Sequence, residues 1–304
     1  MSGLKVINPG MLSLIQDTGR HGFHNIGITS GGPFDNYSAD WANRLLENST
    51  SAACLEVLVG GLTLESQITT QIAITGAVSP IQINDTKVES WRSHNIVPGD
   101  RISIGYATSG CRTYLAVTGG IQCPLIFDSA STVMREGLGG LHRDGRALEQ
   151  GDILPCSSSQ RTNTRAVSEQ YRPQFDIDIT QIRLVMGYQQ DLFKPEQLNQ
   201  FFNTEYTISA QSDRMGYRLE GPAITHCNKQ MLSEGICLGA VQLPADGQPI
   251  ILLCDRQTIG GYPKLGSVFS QDIAKLAQLM PGRKIQFKPL DLKQAHILLR
   301  QANQ

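Results

Sequence analysis

Three stretches of this sequence gather acidic, guanidinium, phenolic and amide side chains around glycines. The first is Gln16-Asp17-Thr18-Gly19-Arg20-His21-Gly22, followed by Gly27, Gly31-Gly32 and Asp35. Glycines let backbone N–H groups approach an anion or a carbonyl oxygen, and Asp17 and Arg20 can bind, orient or polarise a polar substrate there. An Asp–Arg ion pair stapling a glycine-rich turn accounts for the same residues, and spacing alone favours it, because turn glycines and surface ion pairs are common. The second stretch runs from Gly110-Cys111-Arg112-Thr113-Tyr114 to Gly120, with Asp128-Ser129-Ala130-Ser131-Thr132 after it. Strand alternation puts Arg112, Tyr114 and Ala116 on one face, where a guanidinium and a phenol together suit an oxyanion or carboxylate. The hydroxyl run suits phosphate, although a lone Ser/Thr loop is usually turn chemistry.

The third stretch is the densest: Ser212-Asp213-Arg214-Met215-Gly216, then Ser233-Glu234-Gly235, Gln242 to Pro249, and Asp255 leading into Thr258-Ile259-Gly260-Gly261-Tyr262-Pro263. A carboxylate at a strand end beside Gly-Gly can position a nucleophile or hold a magnesium–nucleotide complex, since hard cations prefer carboxylate oxygen. Alternatively, Asp255 and Arg256 cap the strand and pair with neighbours. Acidic, guanidinium and phenolic groups from these distant stretches are expected to gather in one cleft. Several familiar mechanisms drop out: there is no Gly-x-x-x-x-Gly-Lys-[Ser/Thr] loop, no Gly-x-Gly-x-x-Gly opening a βαβ unit, and no Gly-x-Ser-x-Gly. His21 and His24 lack a framing helix and a third ligand, so no metal site is assigned.

The elements that must position these groups read as strands and turns. Short apolar, β-branched runs recur between glycine and proline: Leu12 to Ile15, Leu55 to Val59, Gln71 to Thr75, Ile81 to Ile83, Arg101 to Ile104 and Thr113 to Val117. One helix interrupts them, with Asp35 as N-cap, an apolar stripe of Tyr37, Trp41, Ala42, Leu45 and Leu46, and Asn48 closing it. From Pro155 to Asp176 the chain is polar and aperiodic, as a linker would be. Strands then resume at Ile182 to Met186, Tyr206 to Ser209, Tyr217 to Glu220, Ile236 to Leu243 and Ile250 to Leu253. Helices are expected over Pro195 to Phe202, from a Ser270 cap through Met280, and from Asp291 onward. A Pro-Gly turn launches a strand at Val97-Pro98-Gly99 and again at Met280-Pro281-Gly282, a weak echo between the halves.

A chain of 304 residues exceeds what one core usually organises. Two domains are expected, 1–160 and 161–304, in a mainly β protein of two barrel-like domains with a few peripheral helices. Lys and Arg total 26 against 27 Asp and Glu, with no basic run, so nucleic acid and anionic membrane are poor partners. No segment approaches the roughly 20 apolar residues of a membrane span, and no leader is evident, so the expected location is cytoplasmic. Seven scattered cysteines without a Cys-x-x-Cys pair argue for reduced thiols.

In order and spacing these clusters resemble the family of the 5-oxoprolinase C subunits, the kinase-inhibitor antagonist (KipA-like) proteins, allophanate hydrolase subunit 2 and the carboxyltransferase portion of urea amidolyase. The resemblance runs from about Val6 to Phe287. Its most specific pieces are Pro9-Gly10 with Gln16-Asp17-Thr18-Gly19-Arg20, Ser212-Asp213-Arg214-Met215-Gly216, and Asp255-Arg256-Gln257-Thr258-Ile259-Gly260-Gly261-Tyr262-Pro263; it is looser at Ser30-Gly31-Gly32-Pro33. It implies a cyclophilin-like β-barrel in each half and a place beside two further 5-oxoprolinase components, a B-like (KipI-like) protein and an A-like protein, the three opening the lactam of 5-oxoproline to glutamate with ATP. ATP with magnesium is then a co-substrate of the complex, and no tightly bound cofactor is expected. The free chain is expected to be catalytically incomplete. On this resemblance Asp17, Asp213 and Asp255 orient substrate or magnesium, Arg20, Arg112 and Arg214 bind carboxylate or phosphate oxygens, Tyr114 and Tyr262 form hydrogen-bonding walls, and Gln242 contacts the amide. Two other functions fit the same family: a biotin-dependent carboxyltransferase component acting on a urea-like amide, and a non-enzymatic regulator that binds a kinase inhibitor.

Overall fold

Alternation along the strands decides how the first half is layered. In chain order its strands are β1 (Gly3–Pro9), β2 (Leu12–Gln16), β3 (Cys54–Leu58), β4 (Leu62–Ser66), β5 (Thr70–Val78), β6 (Ile81–Ile83), β7 (Thr86–Lys87), β8 (Arg92–Ile96), β9 (Arg101–Ile104), β10 (Ser109–Val117) and β11 (Ile153–Pro155), with helix α1 (Asn36–Leu45) between β2 and β3. They form a six-stranded sheet, β11-β1-β4-β9-β6-β7, and a five-stranded sheet, β2-β3-β10-β5-β8. Leu4, Val6, Leu64 and Ile102 of the first sheet pack with Leu55, Val57, Ile72, Ile74, Leu115 and Val117 of the second, so the main core lies between the sheets. The intervening residues Cys54, Ala73, Tyr114 and Ala116 face the other way, onto Ala39, Ala42, Leu45 and Leu46 of α1 and its end. Asp35 caps α1 by accepting from Ser38 N at 3.0 Å. Tyr37, counted in the apolar stripe, is 40% exposed instead.

The second half closes on itself. Its strands are β12 (Ile179–Met186), β13 (Glu205–Ile208), β14 (Gly216–Glu220), β15 (Glu234–Gly235), β16 (Ala240–Gln242), β17 (Ile250–Leu252), β18 (Ile259–Gly260), β19 (Lys264–Val268) and β20 (Lys284–Pro289), and its helices α2 (Pro195–Asn203), α3 (Ile273–Ala277) and α4 (Leu292–Ala302). Seven of these strands make a closed barrel, β12-β19-β16-β17-β14-β13-β20, sealed by the parallel pairing of β12 with β20. Strands β15 and β18 form a separate two-stranded ladder. Gly266 is needed where β19 crosses β12, because a Cβ there would lie 2.2 Å from Val185 O. Phe201 of α2 stacks on Phe287 at 4.5 Å between centroids.

In this computed structural model, which describes residues 2–175, 177–225 and 231–302, the chain divides into Met1–Phe23 with Ser30–Asp176, and His24–Thr29 with Ile177–Gln304. The protein is mainly β, as expected. Barrel closure belongs to the second unit; the first is two sheets with a helix on one of them. The polar stretch expected to be a linker is pinned to the first unit: Val167 N donates to Trp91 O, Arg165 N to Ser93 Oγ, and Arg161 Nη1 to Leu46 O. Two expected elements are shorter than the periodicity suggests. Ile236 to Leu243 yields only β16, because Gly239 turns the chain at φ +80°. The helix expected from Ser270 to Met280 is a 3-10 turn at Ser270–Asp272 followed by α3, since Asp272 turns to Arg183 instead of capping.

Candidate functional site

Asp17 follows β2 and is 7% exposed. Its Oδ1 accepts from Gly19 N at 2.9 Å, Ser129 Oγ at 2.5 Å and Ser131 Oγ at 2.7 Å, and its Oδ2 accepts from Ala130 N at 2.6 Å. Ser129 and Ser131 of the hydroxyl run thus bind a carboxylate of their own chain, while Thr132 Oγ1 donates to Ile15 O at 3.0 Å. Arg20 is fully buried beside it, donating from Nε to Ile126 O at 3.0 Å. Gly139 makes room for this guanidinium: a Cβ there would stand 2.0 Å from Ser131 O and 2.4 Å from Arg20 Nη2. Asp17 and Arg20 stand together here, with the loop carbonyls and hydroxyls of 126–131 around them.

Arg112 and Tyr114 do share a face of β10, and the structure adds a carboxylate to them. Tyr114 pairs across the sheet with Glu56 of β3, and its hydroxyl donates to Glu56 Oε2 at 2.7 Å. The same oxygen accepts from Phe34 N at 2.7 Å, while Asp35 N donates to the Tyr114 hydroxyl at 2.7 Å. Arg112 Nε lies 3.8 Å from Glu56 Oε1, and its guanidinium stacks 4.1 Å over the Phe34 ring. Burial, with Glu56 adjacent, pushes the Tyr114 phenol well above its ordinary value and keeps it a neutral donor. Glu56 had no assigned role in the sequence. Its signal is a lone acid between the core-facing Leu55 and Val57, which alternation sends to the helix side of the sheet.

In the second unit Arg214 grips Asp255 with a two-pronged pair, Nε to Oδ2 at 2.9 Å and Nη2 to Oδ1 at 3.1 Å, on side chains 11% and 6% exposed. Asp213 is exposed, and its Oδ1 accepts from Met215 N at 2.8 Å and Gly216 N at 3.3 Å, holding the turn into β14. Arg256 is buried; it donates to the carbonyls of Ile236 and Leu253, and its own carbonyl accepts from Thr29 Oγ1.

Gln242, at the end of β16, is 1% exposed, and its Nε2 has no hydrogen-bond partner among the described residues. A buried donor of this kind is uncommon in native proteins. It lies under the β15–β18 ladder: a Cβ on Gly260 would come within 3.0 Å of it. Its ladder neighbour across β19 is Lys264, whose Nζ stands 2.8 Å from Glu234 Oε1 and 5.6 Å from the centre of the Tyr188 ring. Tyr188 and Gln189 also donate to Glu234. Burial alone would raise the Glu234 carboxyl, but the Lys264 ammonium and the Tyr188 hydroxyl outweigh it and hold it below the usual range. Burial works against the charge on Lys264, and Glu234 more than restores it. Tyr262 is half-exposed on the same connection, between β18 and β19. Lys264, Tyr188 and Gln189 had no sequence signal; Glu234 stood in the third stretch without a role. Among the described residues no group of three or more His, Cys, Asp or Glu is placed to hold a metal ion.

Residues 26–289 match the family of the carboxyltransferase domain, subdomain A and B. The chain belongs to that family. Among its relatives, the 5-oxoprolinase C subunit of Escherichia coli is 36% identical over 96% of this chain and 93% of its own length. The protein of the same name from Haemophilus influenzae is 34% identical over 94% of this chain and 91% of its own. The carboxyltransferase fold is also seen in the crystal structure of Kluyveromyces lactis urea amidolyase, which superposes with a TM-score of 0.92 at 30% identity, covering 99% of this chain and 19% of that one. No helix among the described residues is long and apolar enough to cross a membrane.

Proposed function

We propose that this chain is the C subunit of an ATP-dependent 5-oxoprolinase that works in the cytoplasm with A-like and B-like proteins to open 5-oxoproline to glutamate. The observation that carries this is the end-to-end likeness to the Escherichia coli C subunit, 36% identity over 93% of that protein. The chemistry is consistent with a component that binds rather than acts alone. An unstrained lactam is resonance-stabilised, and ATP with magnesium supplies the phosphoryl group that turns its oxygen into a leaving group. What this chain offers is a buried amide donor at Gln242 and a cation at Lys264, suited to the carbonyl and carboxylate of a small substrate, and an exposed carboxylate at Asp213, suited to a substrate N–H or to magnesium.

In this proposal Gln242 meets the lactam oxygen, Tyr262 forms a wall, and Arg214 with Asp255 fixes the turn that carries Asp213. Asp17, Arg112, Tyr114 and the Nε edge of Arg20 hold the loops of the first unit, where they already bind its backbone and side chains. Co-purification with the A-like and B-like proteins tests the assignment: glutamate should appear from 5-oxoproline only when ATP is present. The superposition on urea amidolyase favours, as a second function, transfer of carboxyl to a urea-like amide, which would instead require a biotinylated partner.

A further inference from the structure

In the first unit a cavity of about 300 Å³ opens where the end of α1 meets residues 160–165; Glu47, Gln160, Arg161, Thr162, Asn163 and Arg165 line it. That volume is at the lower end of small-molecule sites, which begin at about 300 Å³. Two guanidiniums converge there on one carboxylate. Arg161 Nη1 is 3.1 Å from Glu47 Oε2, and Arg165 Nη2 bonds Glu47 Oε1. The lining therefore keeps one positive charge in excess. All three side chains are about half accessible, 46% for Arg161, 54% for Arg165 and 48% for Glu47, so each pair is weak and open to exchange with another anion.

Further donors remain. The backbone of this segment is pinned inward, with Asn163 O accepting from Gln71 Nε2 at 3.0 Å and Thr162 O from Asn95 Nδ2 at 3.1 Å. Gln160, Thr162 and Asn163 also line the cavity, and their side chains make no hydrogen bond with another described residue. A carboxylate has two oxygens, which the two arginines alone would take up. A tetrahedral oxyanion offers an oxygen to each arginine and more to the hydroxyl and amides. At neutral pH a phosphate monoester carries about −1.5 to −2, which balances two guanidiniums once Glu47 swings outward.

We propose that this cavity binds a small phosphate-bearing molecule, with Glu47 as an internal anion that the phosphate displaces. Calorimetric titration of the full chain with inorganic phosphate at constant ionic strength tests it. One saturable site is expected, with no equivalent signal from chloride. E47Q removes the internal competitor and should tighten phosphate binding about three- to tenfold, while R161Q with R165Q should abolish it. Phosphate binding that survives the double substitution, or no saturation up to about 10 mM in E47Q, overturns the proposal. Because Arg161 also bonds Leu46 O at 2.7 Å, the double variant can loosen α1. E47Q leaves that bond in place and then decides alone: an unchanged or weaker phosphate affinity refutes the site.

Discussion

The Tyr114 hydroxyl donates to Glu56 Oε2 and accepts from Asp35 N, both at 2.7 Å, so a cross-strand pair of the five-stranded sheet holds the first turn of α1. Phe34 N binds the same carboxylate oxygen. Two backbone donors that precede or open the helix are satisfied by side chains of the sheet beneath, which fixes where α1 starts as well as where it lies.

Tyr114→Phe should therefore remove one hydrogen bond each from Asp35 N and Glu56 in a dry environment. The expected cost is about 1 to 3 kcal/mol, read as a lower midpoint of urea unfolding with unchanged slope. An unchanged midpoint would mean that water replaces the hydroxyl.

Gly139→Ala should be more damaging. The position has φ +72° and stands against Ser131 O and Arg20 Nη2, so the methyl meets both backbone strain and contact. A loss of about 3 kcal/mol or more is expected in the same assay, and expression at wild-type stability would show that the Arg20 loop shifts freely.

Gln242→Leu separates folding from function. It removes a buried donor without a partner among the described residues, so stability should be equal or higher, because an apolar group of similar shape avoids that desolvation. Turnover of 5-oxoproline by the assembled complex should fall at least tenfold, roughly the loss of one hydrogen bond in a dry site. A variant that is both stable and fully active would remove Gln242 from the site.

Asp213→Asn keeps the Oδ1 that accepts from Met215 N and Gly216 N, so the turn and assembly with the partner proteins should persist while turnover is lost. Collapse of the complex during gel filtration would assign Asp213 to structure.

Asp272 gives the second unit an acid-sensitive anchor. Burial works to raise its carboxyl, but Arg183, at 2.7 Å and 2.8 Å, and Lys275 hold it below the ordinary 3.8. A depressed carboxyl contributes stability that is complete above the unfolded value and fades as pH falls through the lower folded value. Asp272→Asn should thus cost about 2 to 4 kcal/mol at pH 7 and show a shallower loss of stability on acidification below pH 3.8. An acid limb as steep as that of wild type would contradict it.

What the sequence made legible follows from periodicity. Leu115 and Val117 against Tyr114 and Ala116 announced both faces of β10, and Asp35 announced the start of α1. Partnerships across the sheet were not readable: Glu56 is a single acid in an apolar run, and only the β3–β10 register brings it to Tyr114. Lys264 and Glu234 meet because β19 and the β15–β18 ladder approach in space, thirty residues apart in the chain, which no local pattern encodes. The hydroxyls of Ser129 and Ser131 looked available for phosphate until the fold turned them onto Asp17.

The most direct check is an omission test on the purified A-like, B-like and C-like proteins, following glutamate formation from 5-oxoproline with ATP. Activity should appear with all three, vanish when this chain is left out, and fall at least tenfold when Gln242→Leu replaces it. Equal glutamate release without the chain, or none from the complete set under any ATP and magnesium concentration, would contradict its assignment as the C subunit.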